Sequence, residues 1–162
     1  MDVEMRIRGW MMDPNTNMPI IVLKDVASDA VLPIWVGLFE AHAIYNEIEK
    51  LAAPRPTTHD LARNLISSLN ARLDRIVITE LKDDTFYAVL WLTQDGEPVA
   101  VDARPSDAIA LALRADCPIY VAEPVLAMAR MTATGPPDNA TTDQLRKWLE
   151  GLNDEDLGRY KM

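Results

Sequence analysis

Residues 74–103 read DRIVITELKDDTFYAVLWLTQDGEPVAVDA, and the connections inside this stretch settle how the chain is built. DRIVITEL, TFYAVLWLT and EPVAVDA each have the β-branched and aromatic content of a strand. KDD and QDG, which join them, are hairpin turns, and Asp95-Gly96 is the favoured pair for a tight reversal. Three strands in succession with no helix between them predict antiparallel pairing.

Downstream, PSDAIALALRADC (105–117) is apolar on every side at its centre, which marks a helix buried against a sheet. PIYVAE is a short strand, and PVLAMARM is one or two helical turns. Upstream, Val3, Met5 and Ile7 alternate with Glu4, Arg6 and Arg8, the pattern of a strand with one wet face. MPIIVLKD and AVLPIWVG follow as a hairpin. From Gly37 the period changes: Leu38, Ala41, Ile44, Ile48 and Leu51 form a helical stripe that AAPRP ends. A second helix starts near Thr58, with Leu61, Leu65 and Leu69 as its expected buried stripe and Ala62 and Ile66 beside them.

The order β-β-β-α-α-β-β-β-α-β predicts an α+β fold: a mostly antiparallel sheet packed with helices in a single compact domain over residues 1–130. TATGPPDNATT introduces a linker at 131–141, and a short C-terminal helix with a frayed tail is expected in 142–162. No cluster of glycines follows a strand, which removes dinucleotide-binding and P-loop folds.

Composition narrows the function. Hydrophobic residues make up 49% and charged residues 25% of 162, so the chain can bury a real core. A lone cysteine, Cys117, and an acidic N-terminus without signal-peptide character point to the cytoplasm, and no segment is long and apolar enough to cross a bilayer. The net charge of −9 excludes a generic nucleic-acid coat. The charge is uneven, however: between Lys50 and Arg75 five bases face two acids. That is a local basic surface or, more simply, a solvated helix face.

The motif Arg-Pro occurs twice just ahead of a helix, in PRPTTHDL (54–61) and ARPSDAIA (103–110). Thr57 or Thr58 can cap the first helix while Asp60 reaches back in a capping box. Pro105 suits the first helical position, and Ser106 and Asp107 suit the first turn. Capping explains these residues but not Arg55, a phosphate-clamp candidate, or His59, a candidate general acid or base. Arg104 beside free helix amides suggests an anion pocket. Asp107, with Asp102 near it, suggests either a divalent-metal site or, more economically, an arginine salt bridge. Glu40 is a surface acid or a site acid facing the other two helix starts. His42 falls on the polar face of its helix and reads as solvated. Cys117 reads as a packing residue, and Trp10, Trp35 and Trp91 as core.

LPIWVGLFEAHAI, RPTTHDL and VDARPSDAIALALRADCPIYVAE, in this order and spacing, resemble the bifunctional nuclease family. The resemblance spans about residues 1–130. It implies a compact, self-associating α+β domain, a homodimer by preference, that cuts both DNA and RNA. Carried over by motif, it implies His59, Asp60, Glu40 and Asp107 as catalytic residues and Arg55, Thr58, Arg104 and Ser106 as substrate-binding residues. The metal requirement stays open, with a divalent cation such as magnesium as the candidate cofactor. The other reading is a non-catalytic dimeric module that binds a nucleotide, a small anion or a protein partner.

Overall fold

The structure is a computed structural model that describes residues 1–129. The expected linker and C-terminal helix lie outside the described residues. In chain order the elements are β1 (Asp2–Met12), β2 (Pro19–Asp25), β3 (Val31–Trp35), α1 (Leu38–Ile48), α2 (Thr58–Ser68), β4 (Ala71–Lys82), β5 (Thr85–Gln94), β6 (Glu97–Ala103), α3 (Pro105–Ala115), β7 (Ile119–Ala122) and α4 (Glu123–Ala129). This is the α+β order expected from sequence, with α4 as the short final turn of helix.

All seven strands form one sheet in the order β3-β2-β1-β7-β4-β5-β6. Two antiparallel meanders, β1–β3 and β4–β6, are each closed by short turns, and β7 joins them. It pairs antiparallel with β1 (Asp2↔Ala122, Met5↔Ile119) and parallel with β4 (Ile76↔Ile119, Ile78↔Val121). The parallel pair is permitted because α3 supplies the crossover from β6. The hairpins behave as their turn residues demand. Asp83 and Asp84 both take positive φ (51° and 60°), as do Asp95 (51°) and Gly96 (81°), which suits the right-handed strand twist.

Strand alternation sets the core. In β5, Phe86, Ala88, Leu90 and Leu92 are buried while Tyr87, Val89 and Trp91 face the other way. The first set packs with Ile76, Ile78 and Ile109 in the main core, beneath α1 and α3. Of the tryptophans, Trp35 is buried and donates through Nε1 to Asp13 Oδ2 at 3.0 Å. Trp10 is partly exposed and meets Tyr45 edge-on, and Trp91 carries Arg75 over its ring.

Two helix faces differ from the periodicity reading. In α2, Leu61, Leu65 and Leu69 are 52%, 53% and 64% exposed, and no residue of the helix is fully buried. Ala62 and Ile66, beside the expected stripe, are the residues that rest on the core. A stripe at i, i+4, i+8 marks an apolar face but not what covers it, and here the neighbouring face, carrying Ala62 and Ile66, is the one turned to the core. In α1 only Ala41 and Ile44 are buried; Leu38, Ile48 and Leu51 are exposed. Ile44→Ala should therefore lower the unfolding free energy by about 2–5 kcal/mol, and Leu38→Ala by less than about 0.5 kcal/mol, in denaturant titrations. Equal effects would contradict this packing. Among the described residues no helix is long and apolar enough to cross a membrane.

Candidate active site

Three helices begin close together. Gly37 precedes α1, Thr57 caps α2 and Arg104 stands at the cap of α3 with Pro105 at its first position. The N-terminal turns of α2 and α3 and one flank of α1 enclose a cleft of about 610 Å³. Glu40, Thr58, His59, Arg104 and Asp107 all line it.

Inside the cleft His59, Asp107, Arg104 and Glu40 form a continuous chain of charge-assisted hydrogen bonds. The His59 ring nitrogen Nε2 lies 2.8 Å from Asp107 Oδ1. The other carboxylate oxygen, Oδ2, accepts from Arg104 Nε at 2.8 Å. Arg104 Nη2 donates to Glu40 Oε1 at 2.7 Å. The two Arg-Pro stretches thus meet on one carboxylate, although His59 and Asp107 are 48 positions apart in sequence. Gly37 makes room for this arrangement, since a Cβ there would collide with the Glu40 carboxylate.

The environment fixes the charge states. Burial pushes the Asp107 carboxyl up, but the hydrogen bonds from Arg104 and His59 outweigh it and hold the group below its ordinary value. Asp107, then Glu40, push the Arg104 guanidinium above its ordinary value. A carboxylate held anionic against the imidazole favours the tautomer with the proton on Nε2. That leaves Nδ1 as the basic nitrogen.

The remaining predicted residues are placed differently. Asp60 turns away from the cleft: its Oδ2 accepts from Thr57 N at 2.9 Å and Oγ1 at 2.8 Å, and its Oδ1 accepts from Arg114 Nε at 2.7 Å. The Thr57 amide bond, followed by Arg114, lowers its carboxyl to about 2. The expected reach-back from Asp60 to Thr57 is therefore present. Ser106 is buried at 1% exposure and does not line the cleft. Arg55 lines a neighbouring hollow rather than the cleft, and Asp102 is exposed on β6 away from it. Asp107 makes the expected arginine salt bridge, with Arg104. Among the described residues, no three His, Cys, Asp or Glu side chains converge in a way that would hold a metal ion. Cys117 is half-buried, and burial pushes its thiol up to about 11, which suits packing rather than nucleophilic attack.

Two further residues belong to this region: His42, exposed as its polar-face position predicts, and Arg114, which the sequence reading did not single out. His42 lines the same cleft from α1, so both histidines of the chain are there. Arg114, whose side chain is only 5% exposed, ties the three helices together. Besides Asp60 on α2, it bonds the carbonyls of Ala110 on α3 (2.9 Å) and Ala43 on α1 (3.1 Å). Its one legible signal is an arginine at the end of an otherwise apolar helix.

Residues 21–134 match the family described as the bifunctional nuclease domain. The uncharacterized protein Rv1829 of Mycobacterium tuberculosis is 40% identical over 155 residues, covering 93% of each chain. Bifunctional nuclease 1 of Oryza sativa subsp. japonica is 32% identical over 105 residues, 62% of this chain and 32% of the rice protein. Bifunctional nuclease 1 of Arabidopsis thaliana is 29% identical over 107 residues, 64% of this chain and 33% of the plant protein.

Proposed function

This chain belongs to the bifunctional nuclease domain family, and from that premise we propose that it hydrolyses phosphodiester bonds of DNA and RNA in the cleft where α1, α2 and α3 begin. One observation carries the reading: a histidine and an arginine from separate motifs share the carboxylate of Asp107 inside one concavity.

In this mechanism Nδ1 of His59 takes a proton from water as the water oxygen attacks phosphorus. Asp107 orients the ring through Nε2 and stabilises the imidazolium that forms. Arg104 keeps N–H groups beyond those bonded to Asp107 and Glu40, and these stabilise the negative charge developing on the phosphoryl oxygens. Glu40 fixes the guanidinium. The imidazolium then protonates the departing sugar oxygen, which returns His59 to its starting state. Thr58, at the rim, contributes a hydroxyl to the phosphate. Asp60 acts by holding the start of α2 rather than by proton transfer.

A second reading is favoured by the same bonds. Arg104 is flanked by two carboxylates, so much of its charge is already countered, as it would be in a non-catalytic binding module. A cleavage assay separates the two. Purified protein, with and without chelator, should cut single-stranded RNA or DNA, and His59→Ala should cut far more slowly. Equal cutting by both proteins would come from a contaminant and would end the catalytic reading.

We also propose that the protein works as a homodimer in the cytoplasm. The exposed leucines of α2 support self-association. Light scattering should then show a dimer that Leu65→Glu converts to monomer; no change in mass would reject α2 as the contact.

A further inference from the structure

Beside the cleft, behind a wall of Asn46 and Thr57 that the two share, lies a second hollow of about 360 Å³. The 51–57 connection and the first turns of α2 line it, with Arg55, Arg63 and Arg114 among the lining residues. Its two acids are already engaged: Asp60 holds Arg114 at 2.7 Å and Glu47 holds Lys50 at 3.2 Å. Arg55 and Arg63 are exposed, and neither enters an ion pair among the described residues; Arg63 Nε donates to Asn64 Oδ1 at 3.2 Å. On a chain of net charge −9, two uncompensated guanidinium groups in one concavity are a local anion site.

We propose that Arg55 and Arg63 hold a backbone phosphate of single-stranded nucleic acid next to the one cleaved, with the strand passing over Thr57 from the cleft. A free phosphate or mononucleotide would occupy one hollow only; the shared wall places the second anion site where a neighbouring link of the same strand would lie. The inference rests on the nuclease reading of the cleft. It also gives that reading what the cleft lacks, since Arg104 is flanked by acids while Arg55 and Arg63 are not. Arg55 then acts on the substrate without touching the reacting phosphate, and the basic excess between Lys50 and Arg75 acquires a function.

The test measures binding and cleavage separately. Fluorescence anisotropy of a labelled single strand about ten nucleotides long is followed against the His59→Ala protein, with and without the pair Arg55→Ala and Arg63→Ala. The pair should raise Kd roughly tenfold and flatten the slope of log Kd against log salt by about 0.7 for each phosphate no longer neutralised. Lysine at both positions should restore the salt slope more fully than the affinity, because lysine keeps the charge and loses the fork. In proteins with His59 intact, the kcat/KM advantage of the long strand over a dinucleotide should fall roughly tenfold in the double variant. Unchanged Kd and salt slope, or an unchanged length advantage, would overturn the subsite. Arginine-dependent binding without any cleavage would keep the subsite and remove the nuclease reading, while absence of binding by every protein would remove both.

Discussion

His59→Ala protein is expected to cleave single-stranded RNA or DNA roughly 10²–10⁴ times more slowly than the parent, the usual worth of a positioned proton-transfer group. The fold should survive the change. His59 sits in the first turn of α2, and its ring bonds Asp107, which keeps Arg104 as a partner when the imidazole is removed. Losing one hydrogen bond to a charged group costs about 1.5–3 kcal/mol, which a typical domain stability of roughly 5–15 kcal/mol tolerates. A large loss of rate with a small loss of stability is therefore the signature of catalysis, measured by steady-state cleavage beside thermal unfolding. Asp107→Asn sharpens the test. The amide keeps the volume of the carboxylate, but it no longer supports an imidazolium and no longer fixes the Nε2–H tautomer. It should lower kcat more than it changes KM, because the charge on His59 develops in the transition state. If Asp107→Asn cut as fast as the parent while His59→Ala did not, the shared carboxylate would have no part in proton transfer.

How much of this fold and site is legible in the sequence depends on whether the signal is local. Strand alternation and the Asp83-Asp84 and Asp95-Gly96 turns are encoded within a few residues, so the two meanders and their order can be read directly. The place of β7 between β1 and β4 cannot, because its four residues pair with strands far away on both sides. The same division holds at the site. The polar residues of the two helix starts stand out as capping patterns, and Arg104, Asp107, His59 and Glu40 do meet. Which first-turn acid faces the cleft is not readable: Asp60 and Asp107 follow equivalent motifs, yet Asp60 is drawn outward by Arg114. The leucines of α2 mislead for a related reason, since apolar periodicity gives a face without its neighbour. Arg114 looks like an ordinary basic residue at a helix end, because its partners belong to α1 and α2 as well as to its own helix.

In Arg114→Ala the three helices that carry the cleft lose their common tie, and unfolding free energy should drop by about 2–4 kcal/mol. The carbonyls of Ala43 and Ala110, both inside helices, would keep their helical N–H partners but lose the Arg114 bonds, Asp60 would lose its ion-pair partner, and truncation of a side chain only 5% exposed would leave a void. The melting temperature should fall roughly 10 °C for a domain of this size. The pH dependence identifies the ion pair within that total. The Asp60 carboxyl lies at about 2 in the folded chain against an ordinary value of 3.8, through the Thr57 amide first and Arg114 next. A carboxyl lowered on folding adds stability that is fully present above its unfolded value and is lost as pH falls through its folded value. The stability gap between parent and Arg114→Ala should hence be constant above about pH 5 and narrow as pH drops toward 2. It should not close, because the lost carbonyl bonds and the void do not titrate. Arg114→Lys keeps the charge near Asp60 but cannot reach both carbonyls, so it should retain the pH-dependent part and forfeit much of the rest. A gap that stayed the same width from about pH 7 to about pH 2 would mean that the Asp60–Arg114 pair contributes nothing measurable. The clamp would then act through its carbonyl bonds alone, and the outward turn of Asp60 would need a different cause.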